Sequence, residues 1–180
     1  MSKTIYQKIW DREIPSYELY RYASGDGEGL TAFLDIHPAT PGHTLIVSEQ
    51  PYEQWTDVPP ATIERAALLG HILGRHLKTV LAANRIVRLT FGDAVPHFHD
   101  HLVPSYERGD VVGRMQPSSG RMQETVDHNG LSVMQAELAL PEDLADLATE
   151  SLDRNARLSE IVPHLEALFA NRSTADSLAQ

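Results

Sequence analysis

Apolar residues in the first half of the chain change their spacing several times, and each spacing predicts a different element. Near the start they recur at helical intervals, which predicts a short helix that Pro15 ends: Ile5, Tyr6, Ile9 and Trp10. Three later runs have the pattern of strands: SYELYRYA (16–23), GLTAFLDIHP (29–38) and GHTLIVSEQP (42–51). The glycine-rich SGDGEG predicts a turn between the first two strands.

A long helix and two more strands follow. Apolar positions from Pro60 to about Ala83 fit a period of 3.6 residues, and proline suits a helix start, where backbone N–H groups need no partner. IVRLTF (86–91) and PHFHDHLVP (96–104) predict strands on either side of Gly92. Because strands do not alternate regularly with helices, the pattern predicts an α+β fold with a mainly antiparallel sheet.

The last third begins with a polar stretch and then becomes helical. LSVMQAELAL (131–140) fits either a strand or the beginning of a helix. PEDLADLATESL (141–152) and SEIVPHLEALFA (159–170) each carry the apolar stripe of an amphipathic helix. We expect residues 111–180 to form an extension that packs on the same domain as residues 1–110.

Composition narrows the classes of protein. The chain has 180 residues and no cysteine, which excludes disulfides and thiolate zinc sites and leaves any metal to histidine and carboxylate. It shows neither a signal peptide nor an apolar run of about 20 residues, so we expect a cytoplasmic protein without a membrane partner. The net charge of −10 lies mainly in residues 124–180, and without a basic stripe we expect no nucleic-acid partner.

The segment FGDAVPHFHDHLVP places His97, His99 and His101 at alternate positions of a predicted strand. Side chains alternate along a strand, so the three imidazoles are expected on one face. They could ligate a metal ion, with His43 as a further ligand, because histidines at i and i+2 can reach one zinc. They could instead form a polar patch on an exposed strand.

Phosphate chemistry is the third interpretation of this row. A neutral imidazole attacks phosphorus and forms a reactive phosphoramidate, which divides one difficult step into two easier ones. That mechanism needs a nucleophile with a fixed tautomer, donors for the phosphoryl oxygens and a group that protonates the leaving oxygen. Three adjacent imidazoles supply these groups within a few ångströms.

The wider sequence resembles a known family. HFHDHLV is similar to the histidine-triad motif of the HIT superfamily of nucleotide hydrolases and transferases, and GDAVP to its phosphate loop. IYQKIWDREIP and AFLDIHPATPGHTLIV resemble its N-terminal helix and central strands, in the same order. The resemblance implies a HIT-like fold with residues 1–110 as the catalytic domain. The form VPHFHDHLVP is closest to the diadenosine polyphosphate hydrolase-like branch.

The resemblance also implies a role for each site residue. His99 would be the nucleophile, with one ring nitrogen donating to the His97 carbonyl. His101 would contact the phosphate and the departing group. His97 would pack beside His43 and hold the row in place. Asp35 would accept hydrogen bonds from the ribose hydroxyls. The remaining nucleotide-binding positions are the base walls and the phosphate loop: Tyr6, Ile9, Phe33, Ile36, Gly92, Asp93, Ala94 and Val95.

Several positions depart from the family pattern. Asp93 and Ala94 stand where a glutamine and a small hydroxyl residue are usual, so backbone N–H groups are expected to bind the phosphate. Asp100 replaces an apolar residue on the strand face opposite the nucleophile, where we expect a solvated or salt-bridged group. Ser105 follows the final proline, where the polyphosphate hydrolase branch often has arginine.

We therefore expect an enzyme that cleaves dinucleoside polyphosphates or nucleoside phosphoramidates through a nucleotidyl-histidine and releases a nucleoside monophosphate. Two alternatives stay open: a metal-dependent hydrolase with His97, His99 and His101 as ligands, and a nucleotide-binding protein without turnover. We expect no resident cofactor, although a divalent cation could accompany the substrate. The resemblance further implies a homodimer.

Overall fold

The computed structural model describes residues 2–91, 94–111 and 128–178, with side chains as far as Arg172. The described strands are β1 (Glu18–Tyr22), β2 (Leu30–Leu34), β3 (Thr44–Ser48), β4 (Arg85–Phe91) and β5 (His99–Ser105). The helices are α1 (Ile5–Trp10), α2 (Pro60–Val80), α3 (His128–Leu138), α4 (Glu142–Asp153) and α5 (Leu158–Leu178), with a 3-10 turn at Trp55–Asp57.

The five strands form one sheet in the order β1-β2-β3-β5-β4, and each neighbouring pair is antiparallel. This confirms the α+β prediction. The central pairing joins β3 to β5, with Leu45 opposite His101 and Val47 opposite His99. The chain leaves the sheet after β3, forms α2, and returns through the edge strand β4 before it inserts β5.

The two faces of the sheet have different cover. On one face α2 and the C-terminal helices pack over alternate strand residues, among them Ala32, Ile46 and Leu102. On the other face α1 packs over the intervening strand residues Phe33, Leu45 and Val47. Ile9 of α1 is buried against them in a smaller cluster, with Tyr6 and Ile14 beside it. Strands β2 and β3 are consequently buried on both sides. His99 and His101 lie on the α1 side, because they pair with Val47 and Leu45.

Residues 131–138 of this segment lie in helix α3, so the strand alternative is wrong. Leu131 and Leu138 are buried and Met134 packs against the same core. Their spacing of three and four residues is that of one helix face. The helices of the extension share their core with β1 and α2. The backbone N–H of Leu140 also donates to the carbonyl of Leu19 in β1.

Two predicted boundaries shift. Strand β5 begins at His99, so His97 lies in the bend that precedes it rather than in the strand. Helix α1 ends at Trp10, well before Pro15, and Arg12 then takes a left-handed φ of 60°. Within the ranges described above, no helix combines the length and apolar character needed to cross a membrane.

Candidate active site

His97 has both ring nitrogens in hydrogen bonds to other parts of the chain. Its Nε2 lies 2.7 Å from the carbonyl oxygen of Ser48, at the end of β3. A carbonyl only accepts, so Nε2 carries the proton. Its Nδ1 lies 2.8 Å from Oγ1 of Thr4 and is therefore the acceptor of that hydroxyl. His97 is fully buried, and these two bonds fix its orientation.

His99 has the tautomer that phosphate chemistry requires. Its Nδ1 lies 2.6 Å from the carbonyl oxygen of His97, to which it donates its proton. The other nitrogen, Nε2, therefore keeps a free lone pair. Burial lowers the pKa of His99, against opposing contributions from the His97 carbonyl and from the charges of Asp100 and Asp35. The ring is consequently neutral and nucleophilic near pH 7.

His43 and His101 form a second polar pair beside the first. The backbone N–H of Ala39 donates to Nδ1 of His43 over 3.1 Å. Nε2 of His43 therefore carries the proton and donates it to Nδ1 of His101 over 2.9 Å. This leaves the proton of His101 on Nε2, which is buried and has no hydrogen-bond partner among the described residues. A buried donor without a partner is costly, so this N–H is suited to a ligand atom.

Burial keeps this pair neutral. It lowers the pKa of His43 to about 4, with a smaller contribution from His99. It lowers the pKa of His101 to about 3, with further contributions from His43 and His99 and a weak opposing one from Asp35. Like charges this close disfavour protonation, so each ring opposes the charging of its neighbours.

The prediction that His97 packs beside His43 is wrong. Thr44 pairs with Leu102 in the β3–β5 ladder, which places His43 next to the His101 end of the row. The ring centroids of His43 and His101 are 5.1 Å apart. His97 lies at the opposite end, against Ser48.

The metal set of His97, His99 and His101 does not assemble in this structure. Both nitrogens of His97 and Nδ1 of His99 are already hydrogen-bonded, so they cannot also ligate a metal. Among the described residues, potential ligand atoms approach one another at Asp35, His43 and His101, all within 4.8 Å. There, too, both nitrogens of His43 are engaged, and a metal would have to displace these hydrogen bonds.

Asp35 follows β2 and lies at the edge of the row. Its Oδ1 accepts the backbone N–H of His37 over 2.8 Å. Its Oδ2 lies 3.5 Å from Nδ1 of His43, which is too long for a good hydrogen bond. Because His43 is neutral, the two do not form an ion pair at pH 7. The carboxylate, about one-fifth exposed, therefore keeps acceptor capacity for a ligand.

The predicted apolar walls come from α1 and β2. Tyr6 lies over His99, with ring centroids 4.9 Å apart, and 6.1 Å from Phe33. Burial and the charge of Asp35 raise the pKa of Tyr6 to about 12, so its hydroxyl stays neutral. Ile9 and Phe33 are buried in the same cluster. Ile36 is 46% exposed, so a bound ring could cover it.

Comparison with known proteins identifies the family. The family model of the HIT domain matches residues 18–108, about half of the chain, from β1 to just past β5. The chain belongs to the HIT family. Helix α1 and the C-terminal extension lie outside the matched range.

Individual HIT proteins are similar over much of the chain. An uncharacterized HIT-like protein of Methanocaldococcus jannaschii is 32% identical over 116 residues, which cover 60% of this chain and 84% of that protein. A hypothetical histidine triad nucleotide-binding protein from Sulfolobus tokodaii superposes with a TM-score of 0.63 at 21% identity, covering 79% of this chain and 92% of that one. A zinc-bound histidine triad family protein from Mycobacterium smegmatis gives a TM-score of 0.55 at 23% identity, covering 76% and 95%. These likenesses establish the HIT-like fold, and the assignment to the polyphosphate hydrolase branch stays a prediction.

The segment predicted to be the phosphate loop is described only in part. Gly92 and Asp93 lie outside the described residues. Ala94 is exposed and Val95 half-buried in the bend before β5. The carbonyl of Val95 accepts the backbone N–H of His97 over 2.8 Å, which fixes the end of the loop next to the row.

Asp100, where HIT proteins usually have an apolar residue, is completely buried on the α2 side of β5. It accepts from Nε of Arg88 over 3.1 Å, from a second guanidinium nitrogen, and from the Thr90 hydroxyl. The salt-bridged alternative is thus confirmed and the solvated one is wrong. The side chain lies behind the histidine row and does not enter it.

Sequence reasoning missed two residues that contact the row. Thr4 bonds His97, and its place three residues before Gln7 is the spacing of a capping box, which could have marked it as the start of α1. Phe91 pairs with His99 across the β4–β5 ladder, and its ring lies 5.5 Å from that of His101. It is 44% exposed beside the site. A strand-end phenylalanine carries no sequence signal for that role.

Proposed function

We propose that this HIT protein is a nucleotide hydrolase or transferase in which His99 attacks an α-phosphate. The observation that carries the proposal is the 2.6 Å bond from Nδ1 of His99 to the His97 carbonyl, because it leaves Nε2 as the free lone pair. Dinucleoside polyphosphates and nucleoside phosphoramidates are the expected substrates, and a nucleoside monophosphate is the expected product.

The two steps follow from the tautomers. In the first, Nε2 of His99 forms a bond to phosphorus while the bond from phosphorus to the departing oxygen or nitrogen breaks. A departing polyphosphate leaves as its anion, and a departing amine takes a proton from solvent. In the second, water attacks phosphorus, the P–N bond to His99 breaks, and the water proton returns to solvent. The Nε2–H of His101 donates to phosphoryl oxygen throughout.

The nucleoside would lie against α1 and the end of β2. Tyr6, Ile9 and Phe33 give one apolar wall, and the exposed Ile36 gives the other. The free acceptor capacity of Asp35 suits the two ribose hydroxyls, which are donors. The loop from Gly92 to Val95 would hold the phosphate through backbone N–H groups.

The decisive experiment traps the intermediate. Wild-type protein is mixed with adenosine 5′-phosphoramidate or a diadenosine polyphosphate and quenched with base, which preserves a phosphorus–nitrogen bond. Intact-mass spectrometry should show one added adenylyl group, and peptide mapping should place it on His99. His99→Ala should lose both adduct and turnover, whereas His164→Ala, at an exposed histidine of α5, should retain them. Full turnover by His99→Ala would falsify the proposal.

Measurements of nucleotide binding and of metal content separate the alternatives. A protein that binds nucleotide without turnover would bind adenosine monophosphate yet give neither adduct nor product. A metal-dependent hydrolase would contain stoichiometric zinc after purification and would lose activity in chelator. Two observations justify the zinc measurement. Potential ligand atoms of Asp35, His43 and His101 lie close together, and the similar protein from Mycobacterium smegmatis is zinc-bound. A cation needed only to accompany the substrate would be replaceable by magnesium.

We further propose that the protein forms a homodimer through α2 and the edge of the sheet. Strand β4 pairs with β5 on one side, and within the described ranges no strand pairs with its other side. An open edge of this kind is available to a second chain. Light scattering after size-exclusion chromatography should give twice the mass of the chain, and a monomer at micromolar concentration would contradict this.

A further inference from the structure

Thr4 closes the N-terminus of α1 with both parts of a capping box. Its Oγ1 accepts the backbone N–H of Gln7 over 3.1 Å, and the side-chain Oε1 of Gln7 accepts the backbone N–H of Thr4 over 2.9 Å. These bonds satisfy free N–H groups at the start of the helix. The first of these bonds uses one lone pair of the Thr4 hydroxyl and leaves its proton free for another partner.

That partner is His97, from the other half of the chain. The Ser48 carbonyl fixes the His97 proton on Nε2, so Nδ1 can only accept, and the hydroxyl 2.8 Å away must be its donor. The carbonyl of the same His97 holds Nδ1 of His99. Two hydrogen bonds, connected by the covalent structure of His97, thus link α1 to the proposed nucleophile.

Helix α1 also contacts the row directly. Tyr6 lies 5.6 Å from the ring of His97 and 4.9 Å from that of His99, measured between centroids. The helix that supplies the base wall therefore supplies the orienting hydroxyl as well. Among the described residues of α1 and its cap, Thr4 makes a hydrogen bond to a histidine of the row.

We propose that Thr4 is a positioning residue for the nucleotidyl transfer: its hydroxyl orients His97, whose carbonyl in turn holds His99 in line with phosphorus. The inference rests on the proposed function, because it concerns the geometry of that attack. Without the hydroxyl, Nδ1 of His97 becomes a buried acceptor with no donor, and the ring can rotate or shift. Small displacements of a nucleophile reduce the rate of attack strongly while they change substrate binding little.

The test compares three variants with wild type in steady-state kinetics. Thr4→Val has nearly the same shape and lacks the hydroxyl, and we expect kcat to fall about 10- to 100-fold with KM within about twofold. Thr4→Ser keeps the hydroxyl and should retain at least half of kcat. Gln7→Ala is the matched control, because it removes the reciprocal cap bond and leaves the Thr4–His97 bond in place.

The split between kcat and KM separates positioning from helix capping. If Thr4 acted only as a cap, loosening of α1 would disturb Tyr6 and raise KM, and Gln7→Ala would show part of the same effect. That pattern, or an unchanged kcat in Thr4→Val, would overturn the proposal.

A measurement on the wild type does not depend on any variant folding. Imidazole ¹⁵N spectra should show His97 protonated at Nε2 with a hydrogen-bonded acceptor at Nδ1; protonation at Nδ1 would overturn the proposal. Absence of an adenylyl adduct in wild type would instead defeat the proposed function. The spectra would still test the Thr4–His97 bond in that case.

Discussion

Nε2 of His43 donates to Nδ1 of His101 across 2.9 Å, and this bond joins the end of the β2–β3 turn to the middle of β5. It passes a constraint from the backbone to the site: Ala39 N–H sets the tautomer of His43, and His43 sets that of His101. The result is an N–H at His101 whose direction is fixed before any ligand arrives. Preorganised donors of this kind need no rearrangement during the reaction.

The buried histidines make stability depend on pH. Their folded-state pKa values are lowered, to about 4 for His43 and about 3 for His101. Below pH 6.5 the unfolded chain therefore binds more protons than the folded chain. The free energy of unfolding should therefore be highest above pH 6.5 and fall as the pH drops from 6.5 toward 4. Each group contributes up to about 1.4 kcal/mol per pH unit within its window.

Urea titrations between pH 4 and 7 measure this slope. His43→Gln retains an N–H donor for His101 and cannot titrate, so it should remove the share of one histidine. His164→Gln, at an exposed position, should leave the slope unchanged. An identical slope in His43→Gln and wild type would show that His43 does not titrate as described.

Gly42 precedes His43 and has a φ of 81°, which side chains adopt only with strain. A Cβ there would also collide with the Leu81 side chain and press on Pro104. Gly42→Ala should lower the free energy of unfolding by about 1–3 kcal/mol and reduce turnover, because it displaces His43. Gly25→Ala, where a Cβ meets nothing within 4 Å, should change stability by less than about 0.5 kcal/mol. Equal effects of the two substitutions in thermal and activity assays would refute this account.

Asp100 depends on Arg88 for its burial. Arg88→Leu leaves a buried carboxylate with the Thr90 hydroxyl and no cation, and should cost about 2–4 kcal/mol, somewhat less than a fully buried pair because Arg88 is partly exposed. The double variant Arg88→Leu, Asp100→Leu removes the charge as well and should recover most of that loss. Chemical denaturation of both variants measures the difference. A double variant less stable than Arg88→Leu would contradict the argument.

Arg65 joins three parts of the chain from a buried position on α2. Its guanidinium donates to both oxygens of Asp26, over 3.1 and 2.9 Å, and to Oδ1 of Asn155 over 3.0 Å. Asp26 lies in the β1–β2 turn and Asn155 in the α4–α5 connection. Arg65→Met should cost about 1–3 kcal/mol and speed amide exchange in α4, because charged hydrogen bonds are lost.

Arg75→Met provides a control for that variant. Arg75 also reaches from α2 to the extension, at 3.7 Å from Glu166, but on the surface. Surface pairs contribute about 0–1 kcal/mol, so its exchange pattern should stay close to wild type. If amide exchange in α4 were faster in Arg75→Met and unchanged in Arg65→Met, Arg75 rather than Arg65 would be the residue that stabilises α4.

The sequence was sufficient for the five strands and for part of the site. Alternation from His99 to His101 predicted that their side chains share one face. The bond from His99 to the His97 carbonyl was implied by the resemblance to the HIT superfamily, and the structure contains it. The partner of His43 could not be found in this way. It depends on the register of β3 against β5, which α2 and β4 separate in the sequence, so the local pattern does not determine it.

The remaining features could not be predicted from the sequence for two physical reasons: some depend on contacts between distant residues, and one depends on an ambiguous periodicity. Thr4 carries a readable capping signal, but its bond to His97 joins residues 93 positions apart and exists only after the fold forms. The segment 131–140 was ambiguous because a short apolar run fits two periods; packing of Leu131 and Leu138 on the core decides for the helix. The burial of Asp100 needed its partner on β4, which only the strand order supplies.

The insertion of β5 between β3 and β4 also has a consequence for folding. The ladder between β3 and β5 closes a loop that contains α2 and β4, and such distant pairings carry a large entropic cost. The histidine row is therefore incomplete until this pairing is made. A nucleotide that binds the finished row would favour the folded population in proportion to its concentration over Kd, so the substrate itself would help protect newly made protein from degradation.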